Sequence, residues 1–144
     1  MNIAELTLTL HNNTLNPIRR IAKESSISTS QLLCIVSIPT NGINQTNLAA
    51  LLSIDLSTLS RNLNHLIHKK VVIKKVNQFD SRSYKILLTN NGEILRNKIF
   101  EKLELYLNDL HLFLNDSDIE KLLDSLSNFN WLLLKKNLDN ASIE

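Results

Sequence analysis

From residue 28 to residue 70, apolar side chains recur at three- and four-residue spacing, the pattern of amphipathic helices. The pattern is broken at Pro39 and Gly42, and again at the polar turn Ile54-Asp55. It therefore predicts three helices, over residues 28–38, 45–53 and 56–70. The second and third, joined by a tight turn, form a helix-turn-helix.

After the third helix the sequence changes to short runs rich in β-branched residues. Residues 71–76 and 84–88 are predicted strands, and the polar segment 77–83 joins them as a hairpin. A hairpin that directly follows a helix-turn-helix is the winged helix-turn-helix arrangement.

The N-terminal segment, residues 3–24, carries two competing patterns. Leu6-Thr7-Leu8-Thr9-Leu10 alternates as a strand does, whereas Ile18, Ile21 and Ala22 follow helical spacing. We favour a helix that is interrupted or kinked near Asn16-Pro17, because proline disfavours helical dihedral angles in the residue before it.

Two long helices are predicted to complete the chain. One runs from an N-cap at Thr89 or Asn90 to about residue 114, and the other from the polar segment 115–118 to about residue 138. Apolar residues cover most of the circumference of the last helix, so it must be buried from several sides. One short chain supplies few of those sides, and we predict that a second copy supplies the rest in a homodimer.

The composition agrees with a helical globular protein. The 144 residues contain two glycines, two prolines and 43% hydrophobic side chains. This predicts a mainly α fold, a winged helix-turn-helix core with a small β-hairpin wing and long N- and C-terminal dimerisation helices. We expect a single domain over residues 1–144, with the winged-helix lobe at 28–95 and dimerisation helices at 1–27 and 96–144. Neither a leader pattern nor an apolar run of membrane-spanning length is evident, which predicts a cytoplasmic protein without membrane contact.

Positive charge is concentrated in one segment. Residues 61–85 contain seven cationic residues and one acidic residue, so they carry +6 while the rest of the chain carries −4, in a net charge of +2. A basic segment in an otherwise acidic protein indicates a phosphate-backbone partner, although a solvated charged loop is the plainer alternative.

The outer face of the third helix favours double-stranded DNA. Between Leu56 and Phe79 there is no acidic residue, whereas an ordinary solvent-facing helix more often has Glu/Lys pairs. Short polar groups and one arginine suit base edges and phosphates. The candidate DNA-binding residues of the helix are Ser57, Thr58, Ser60, Arg61, Asn64 and His65. Those of the hairpin are Lys74, Asp80, Ser81 and Arg82.

The hairpin tip, Asp80-Ser81-Arg82, is a weak motif by itself. An arginine on a basic loop can reach into the narrow, electronegative minor groove, with Asp80 orienting a basic side chain. The alternative is a surface ion pair that stabilises the turn by less than about 1 kcal/mol.

Together these residues resemble the MarR family of bacterial and archaeal transcription regulators. The ordered series is Asn47-Leu48-Ala49, Leu56-Ser57-Thr58-Leu59-Ser60-Arg61, Leu66, residues 71–75, Asp80-Ser81-Arg82 and Leu87-Leu88-Thr89-Asn90-Asn91-Gly92. The spacing from Asp-x-Arg to Leu-Thr-x-x-Gly makes the set specific, and the clear motifs span about residues 28–95.

The resemblance implies an obligate homodimer, held by its N- and C-terminal helices, on a pseudo-palindromic operator. It places Arg82 in the minor groove, supported by Asp80, and gives base and phosphate contacts to Ser57, Thr58, Arg61 and Asn64. It also implies a repressor, released in many relatives by a small-molecule effector bound between the dimer helices and the DNA-binding lobe.

Two positions depart from the family pattern. Lys70 stands where the family usually has a glycine in a left-handed C-cap, which costs roughly 1 kcal/mol or changes the turn. Asn47 stands where the family commonly has glutamate, which weakens a capping interaction.

Other reactive side chains favour structural roles. Cys34 lies in an apolar helical run without an activating cation, so we expect core packing, with oxidant sensing as the alternative. His65 and His68 lie on the predicted DNA face, and His11 and His111 lack an acidic or cysteine partner at ligand spacing, so no metal is predicted.

Two other functional classes compete with a DNA-binding regulator. A winged-helix protein–protein interaction module without operator specificity is the main alternative, but its docking face should expose more Leu, Tyr or Trp. An enzyme is not expected, because the sequence has no nucleophile–base pair at a recognisable spacing, no phosphate-binding glycine loop and no cofactor motif.

Overall fold

The computed structural model describes residues 1–76, 78 and 84–141, with side chains described through residue 137. The helices are α1 Ile3–Glu24, α2 Thr29–Ser37, α3 Gln45–Leu52, α4 Leu56–His68, α5 Asn90–Leu107 and α6 Asp116–Ala141, with a 3₁₀ helix at Asn108–Leu112. The strands are β1 Ile43–Asn44, β2 Val72–Val76 and β3 Tyr84–Leu88. The predicted fold class, mainly α with a small antiparallel sheet, is confirmed.

Helix α1 is continuous from end to end, so the predicted interruption near Asn16-Pro17 is wrong, while the kink stays a prediction. Pro17 lies inside the helix and is buried. Asn2 caps the helix and forms a capping box with Glu5. At the other end Lys102 of α5 donates a hydrogen bond of 2.7 Å to Glu24, which lowers the pKa of that carboxyl group and joins α1 to α5.

The sheet has the strand order β1-β3-β2, and both pairings are antiparallel. Strand β1, which the sequence pattern did not predict, places Ile43 opposite Ile86 of β3. Gly42 leads into it with a φ of 78°, and a Cβ on Gly42 would lie 2.8 Å from the Ile86 carbonyl oxygen. The chain thus approaches β3 more closely than a larger residue would permit.

The core of the winged-helix lobe is built from aliphatic side chains of α2, α3, α4 and β3. Ile35, Leu48, Leu63 and Ile86 are fully buried in one cluster. Each large aliphatic side chain buried in this way contributes about 1.5–3 kcal/mol to folding. This cluster fixes the position of α4 against the two preceding helices.

Two leucines that helical spacing places on or beside the apolar faces of α3 and α4 lie outside this core. Leu51 of α3 and Leu56 of α4 are 49% and 50% exposed. Leu51 lies on a helix of eight residues in which only Leu48 and Ala49 are buried, and Leu56 is the first residue of α4. In both cases the helical spacing gave the correct helix but too wide a buried face.

The chain divides into two compact units, Met1–Glu104 and Leu105–Glu144. The boundary lies near the end of α5, which was predicted to reach about residue 114 but ends at Leu107 and is followed by the 3₁₀ helix. The change comes at Asn108 and Asp109, two residue types that favour helix ends and turns over helix interiors. The single domain and its subdivisions stay a prediction.

Candidate nucleic-acid interface

Helix α4 separates its apolar and polar side chains onto opposite faces. Leu59, Leu63 and Leu66 are 0% exposed, as their spacing predicted. Of the predicted DNA-binding residues, Thr58 and Ser60 are half-buried. The exposed ones are Ser57, Arg61, Asn64 and His65. The helix therefore packs through leucines and presents a polar surface.

Two side-chain hydrogen bonds fix α4 against neighbouring helices. Gln45 of α3 donates through Nε2 to Ser60 Oγ at 2.6 Å, and Asn62 donates through Nδ2 to Ser30 Oγ of α2 at 2.7 Å. Ser60 thus lies at the contact between the two helices of the helix-turn-helix. Its role at DNA stays a prediction, and the structure gives it a positioning role as well.

Asp55 caps α4, a role that the sequence analysis missed. Its carboxylate accepts hydrogen bonds from the Ser57 hydroxyl at 2.5 Å, the Thr58 hydroxyl at 2.7 Å and the Thr58 backbone N–H at 2.8 Å. These hydrogen bonds, that from Ser57 foremost, hold the pKa of Asp55 far below its usual range. Its signal in the sequence was an aspartate directly before the first helical residue, a preferred N-cap.

The C-terminal end of α4 differs from the prediction. The helix ends at His68, with Lys69 as its C-cap, and Lys70 adopts a left-handed conformation with a φ of 59°. The predicted end at residue 70 is therefore wrong, because a left-handed residue cannot continue the helix. Lys70 thus adopts the left-handed turn that glycine would make, which costs conformational free energy in a residue with a Cβ.

The strand register separates the three lysines of the wing between the two faces of the sheet. Lys74 lies opposite Ile86, a fully buried residue, so it shares the face of the sheet that packs on the core, and it is half-buried. Lys75 lies opposite Lys85, which also pairs with Asn44 of β1. Asn44, Lys85 and Lys75 therefore form a row across the other face of the sheet, in which the two lysines are directly opposite each other.

Two lysines directly opposite each other destabilise a sheet through charge repulsion, and a bound anion would reduce that repulsion. Lys75, which is exposed, therefore suits a phosphate better than Lys74 does, and Lys85, half-buried like Lys74, lies beside Lys75 on the same face. The predicted residue was Lys74, since alternation alone does not tell which of two adjacent lysines shares the core face. The role of Lys74 at DNA stays a prediction.

The sequence matches no family model and no curated relative. Solved structures match it over most of its length. Wild-type MarR from E. coli is 21% identical over 90% of this chain and 96% of its own, with a TM-score of 0.76. A MarR transcriptional regulator from Methanosarcina mazei is 23% identical over 92% of this chain and 96% of its own, with a TM-score of 0.79. This chain has the MarR fold.

A third solved structure with the MarR fold was determined with nucleic acid. It is a single-substitution mutant of S. aureus MepR bound to an oligodeoxyribonucleotide, 19% identical over 92% of this chain and 99% of its own, with a TM-score of 0.64. The resemblance derived from the motifs is thus confirmed at the level of the fold.

The Leu-Thr-x-x-Gly signal of this MarR fold has a clear physical basis. Thr89 Oγ1 donates to the Lys70 carbonyl oxygen at 2.7 Å and accepts from the Gly92 backbone N–H at 3.1 Å. A Cβ on Gly92 would lie 2.0 Å from the Val71 carbonyl oxygen. The threonine thus caps α5 and joins it to the end of α4, and the glycine permits α5 to approach the start of β2.

The wing residues Asp80, Ser81 and Arg82 lie outside the described residues. Their roles stay predictions, supported by the motif alone. Asp55, Lys75 and Lys85 are the candidate residues that the structure adds to the predicted set.

Cys34 lies in the core and is 0% exposed, in agreement with a packing role. Burial raises the pKa of its thiol to about 11, and a hydrogen bond with Asn62 opposes that shift. At neutral pH the side chain is therefore a neutral thiol rather than a nucleophilic thiolate.

Within the described residues, no three His, Cys, Asp or Glu side chains come together in a group able to hold a metal ion. In the same part of the chain, no helix has the length and apolar character needed to cross a membrane.

Proposed function

We propose that this chain is a transcriptional regulator that binds double-stranded DNA in a sequence-specific manner in the cytoplasm. In this proposal it acts as a homodimer on a pseudo-palindromic operator and represses transcription. A small-molecule effector that releases the dimer from DNA is the part of the proposal that rests on the resemblance alone.

The observation that carries the proposal is the outer face of α4 on a MarR fold. Arg61, Asn64 and His65 are exposed there, and no acidic residue occurs from Leu56 to the end of the helix. Side chains of this kind pair with base edges in the major groove, whose width admits an α-helix. Lys75 and Lys85 of the sheet add positive charge that favours contact with the phosphate backbone.

Exposed apolar side chains in each unit support a homodimer. In the first unit, the start of α1 exposes Ile3 and Leu8 by 72% and 66%. In the second unit, α6 exposes Leu123, Trp131 and Leu132 by 56–59%. Monomeric proteins rarely expose so many large apolar residues along one helix, and a second copy of the chain would cover them.

The interaction-module alternative is less well supported. Among the large apolar side chains of α4, only Leu56 is as much as half exposed, and the remaining outer residues are polar. A protein-docking face is typically centred on aromatic and aliphatic anchors, which this face lacks.

A mobility-shift assay on genomic fragments tests the proposed function, with sedimentation measuring the size of the protein and of its complex. We expect a dimer that retards particular fragments. Arg61→Ala should lower the affinity for such a fragment by about 10- to 100-fold, the effect of one good base contact.

Lys98→Ala is the matched control, because it removes an exposed cation from α5 and should change affinity little. A folded protein that retards no fragment would overturn the proposal. Equal losses in the two variants would show that α4 makes no specific contact.

A further inference from the structure

Asp55 determines which hydrogen-bonding groups the start of α4 presents to a ligand. Both oxygens of its carboxylate are engaged: Oδ1 accepts from the Ser57 hydroxyl and the Thr58 backbone N–H, and Oδ2 accepts from the Thr58 hydroxyl. Two of the residues predicted to contact bases are therefore already hydrogen-bonded to a neighbouring anion.

The direction of these hydrogen bonds follows from elementary chemistry. An ionised carboxylate has no hydrogen to donate, so each hydroxyl must donate its single hydrogen to Asp55. Only lone pairs remain on Ser57 Oγ and Thr58 Oγ1. In agreement, Arg61 Nη2 lies 3.5 Å from Thr58 Oγ1 as a donor to that oxygen.

Free serine and threonine hydroxyls contact any base edge or phosphate, because they both donate and accept. Hydroxyls restricted to accepting cannot donate to phosphate oxygens, to O6 and N7 of guanine or to O4 of thymine. In the major groove, their partners are the amino groups of adenine N6 and cytosine N4.

We propose that Asp55 is a specificity-determining residue that makes the Ser57 and Thr58 hydroxyls selective for adenine and cytosine amino groups in the major groove. This inference rests on the proposed function, that is, on α4 binding double-stranded DNA. The carboxylate also places a negative charge at the N-terminus of α4, where a phosphate would otherwise be favoured. The start of the helix is thereby directed toward bases rather than toward the backbone.

The test is selection of bound sequences from a randomised duplex library by the full-length protein, followed by affinity measurements on single-base variants. Asp55→Asn is the main variant, because asparagine caps helices as well as aspartate does. The new amide oxygen can still accept from the Thr58 N–H, while the amide nitrogen donates to a hydroxyl and so releases its hydrogen toward the groove. Thermal unfolding checks that the variant is folded.

We expect the wild type to select adenine or cytosine at the positions under Ser57 and Thr58. Asp55→Asn should shift the affinity ratio toward guanine or thymine by about three- to tenfold, the effect of one hydrogen bond, at the base position facing Thr58. The Ser57 hydroxyl still donates to the amide oxygen, so the ratio at its position should not change. Thr58→Val removes the hydroxyl while leaving Asp55 in place, and it should abolish the preference at one of these positions even if Asp55→Asn fails to fold. Asp118→Asn, the same substitution at the start of α6, is the matched control and should leave every ratio unchanged.

The outcomes separate the two proposals. Suppose that the wild type selects a defined sequence and that Asp55→Asn and Thr58→Val both keep the wild-type base ratios. The inference is then wrong and the proposed function stands. If Asp55→Asn raises affinity equally for all sequences, its effect is that of charge alone, and the inference is again overturned. If the wild type binds no duplex, both fall.

Discussion

Replacing Lys70 with glycine should stabilise this protein, although most substitutions at a conformationally special site destabilise. Lys70 has a φ of 59°, in the left-handed region. That conformation costs an L-residue roughly 1–2 kcal/mol, because its Cβ approaches the following carbonyl group. Glycine removes this cost but gives back about 0.5–1 kcal/mol through the larger entropy of the unfolded chain.

The net expectation for Lys70→Gly is therefore a gain of about 0.5–1 kcal/mol in the free energy of unfolding. For a chain of this size, that gain raises the melting temperature by about 1–4 °C. The left-handed turn itself should be unchanged, because the Thr89 hydroxyl donates to the Lys70 carbonyl oxygen and not to its side chain.

Lys69→Gly is a close control for this prediction. Lys69 is the neighbouring residue and is also exposed, but it has a φ of −75° in the right-handed region. Glycine there relieves no strain and should lower stability by about 0.5–1 kcal/mol. Both variants remove one cation beside α4, so their effects on DNA binding through charge should be similar while their stabilities move in opposite directions.

Urea unfolding followed by circular dichroism measures both variants. The reasoning is refuted if Lys70→Gly lowers the urea midpoint as much as Lys69→Gly does. That result would mean that the left-handed conformation carries no cost here, or that the Lys70 side chain makes a compensating contribution.

Three further predictions follow from the buried and capped residues. Gly92→Ala should lower the free energy of unfolding by about 2 kcal/mol or more, because the added Cβ would lie 2.0 Å from the Val71 carbonyl oxygen, and an unchanged urea midpoint would contradict this. Cys34, whose burial raises its pKa to about 11, should resist iodoacetamide at pH 8 in the native protein and react in urea; equal rates would contradict its burial. The pKa of Asp55 is lowered in the folded state, so its contribution to stability is present above the ordinary value of 3.8 and is lost as pH falls below it. The stability difference between wild type and Asp55→Asn should accordingly shrink between pH 6 and pH 2, and a difference independent of pH would contradict the hydrogen-bonding assignment.

The main elements of the fold were predictable because local signals agreed with the packing. The Leu59, Leu63 and Leu66 spacing gave the buried face of α4, and all three side chains are fully buried. The predicted bounds of β3 and α1 agree with the structure, although residues 3–24 carried both a strand-like and a helical pattern.

Other features depend on contacts that a local pattern does not contain. Strand β1 has two residues, too few to show any period, and it exists because Gly42 brings the chain against β3. The faces of Lys74 and Lys75 are set by the register with β3, so neither residue alone reveals which one shares the core face. Helix α5 ends at Leu107, although apolar residues continue beyond it. Its end was predicted too late because the spacing of apolar residues does not distinguish an α-helix from a following 3₁₀ helix.

The candidate site was predictable in kind but not in detail. Residue types and the absence of acids indicated the outer face of α4. The restriction placed on Ser57 and Thr58 by Asp55 requires the geometry of the N-cap, in which three donors converge on one carboxylate. The sequence shows only that Asp55 stands at a preferred N-cap position, not which side chains donate to it.

The central claim, specific DNA binding through α4, is tested most directly by fluorescence anisotropy of the full-length protein. The titration compares a selected operator with a scrambled duplex of the same composition, at salt concentrations from about 50 to about 200 mM. We expect the operator to bind at least about 10³-fold more tightly than the scrambled duplex, and both affinities to fall steeply with salt. Equal affinity for the two duplexes, or binding that does not change with salt, would contradict the account.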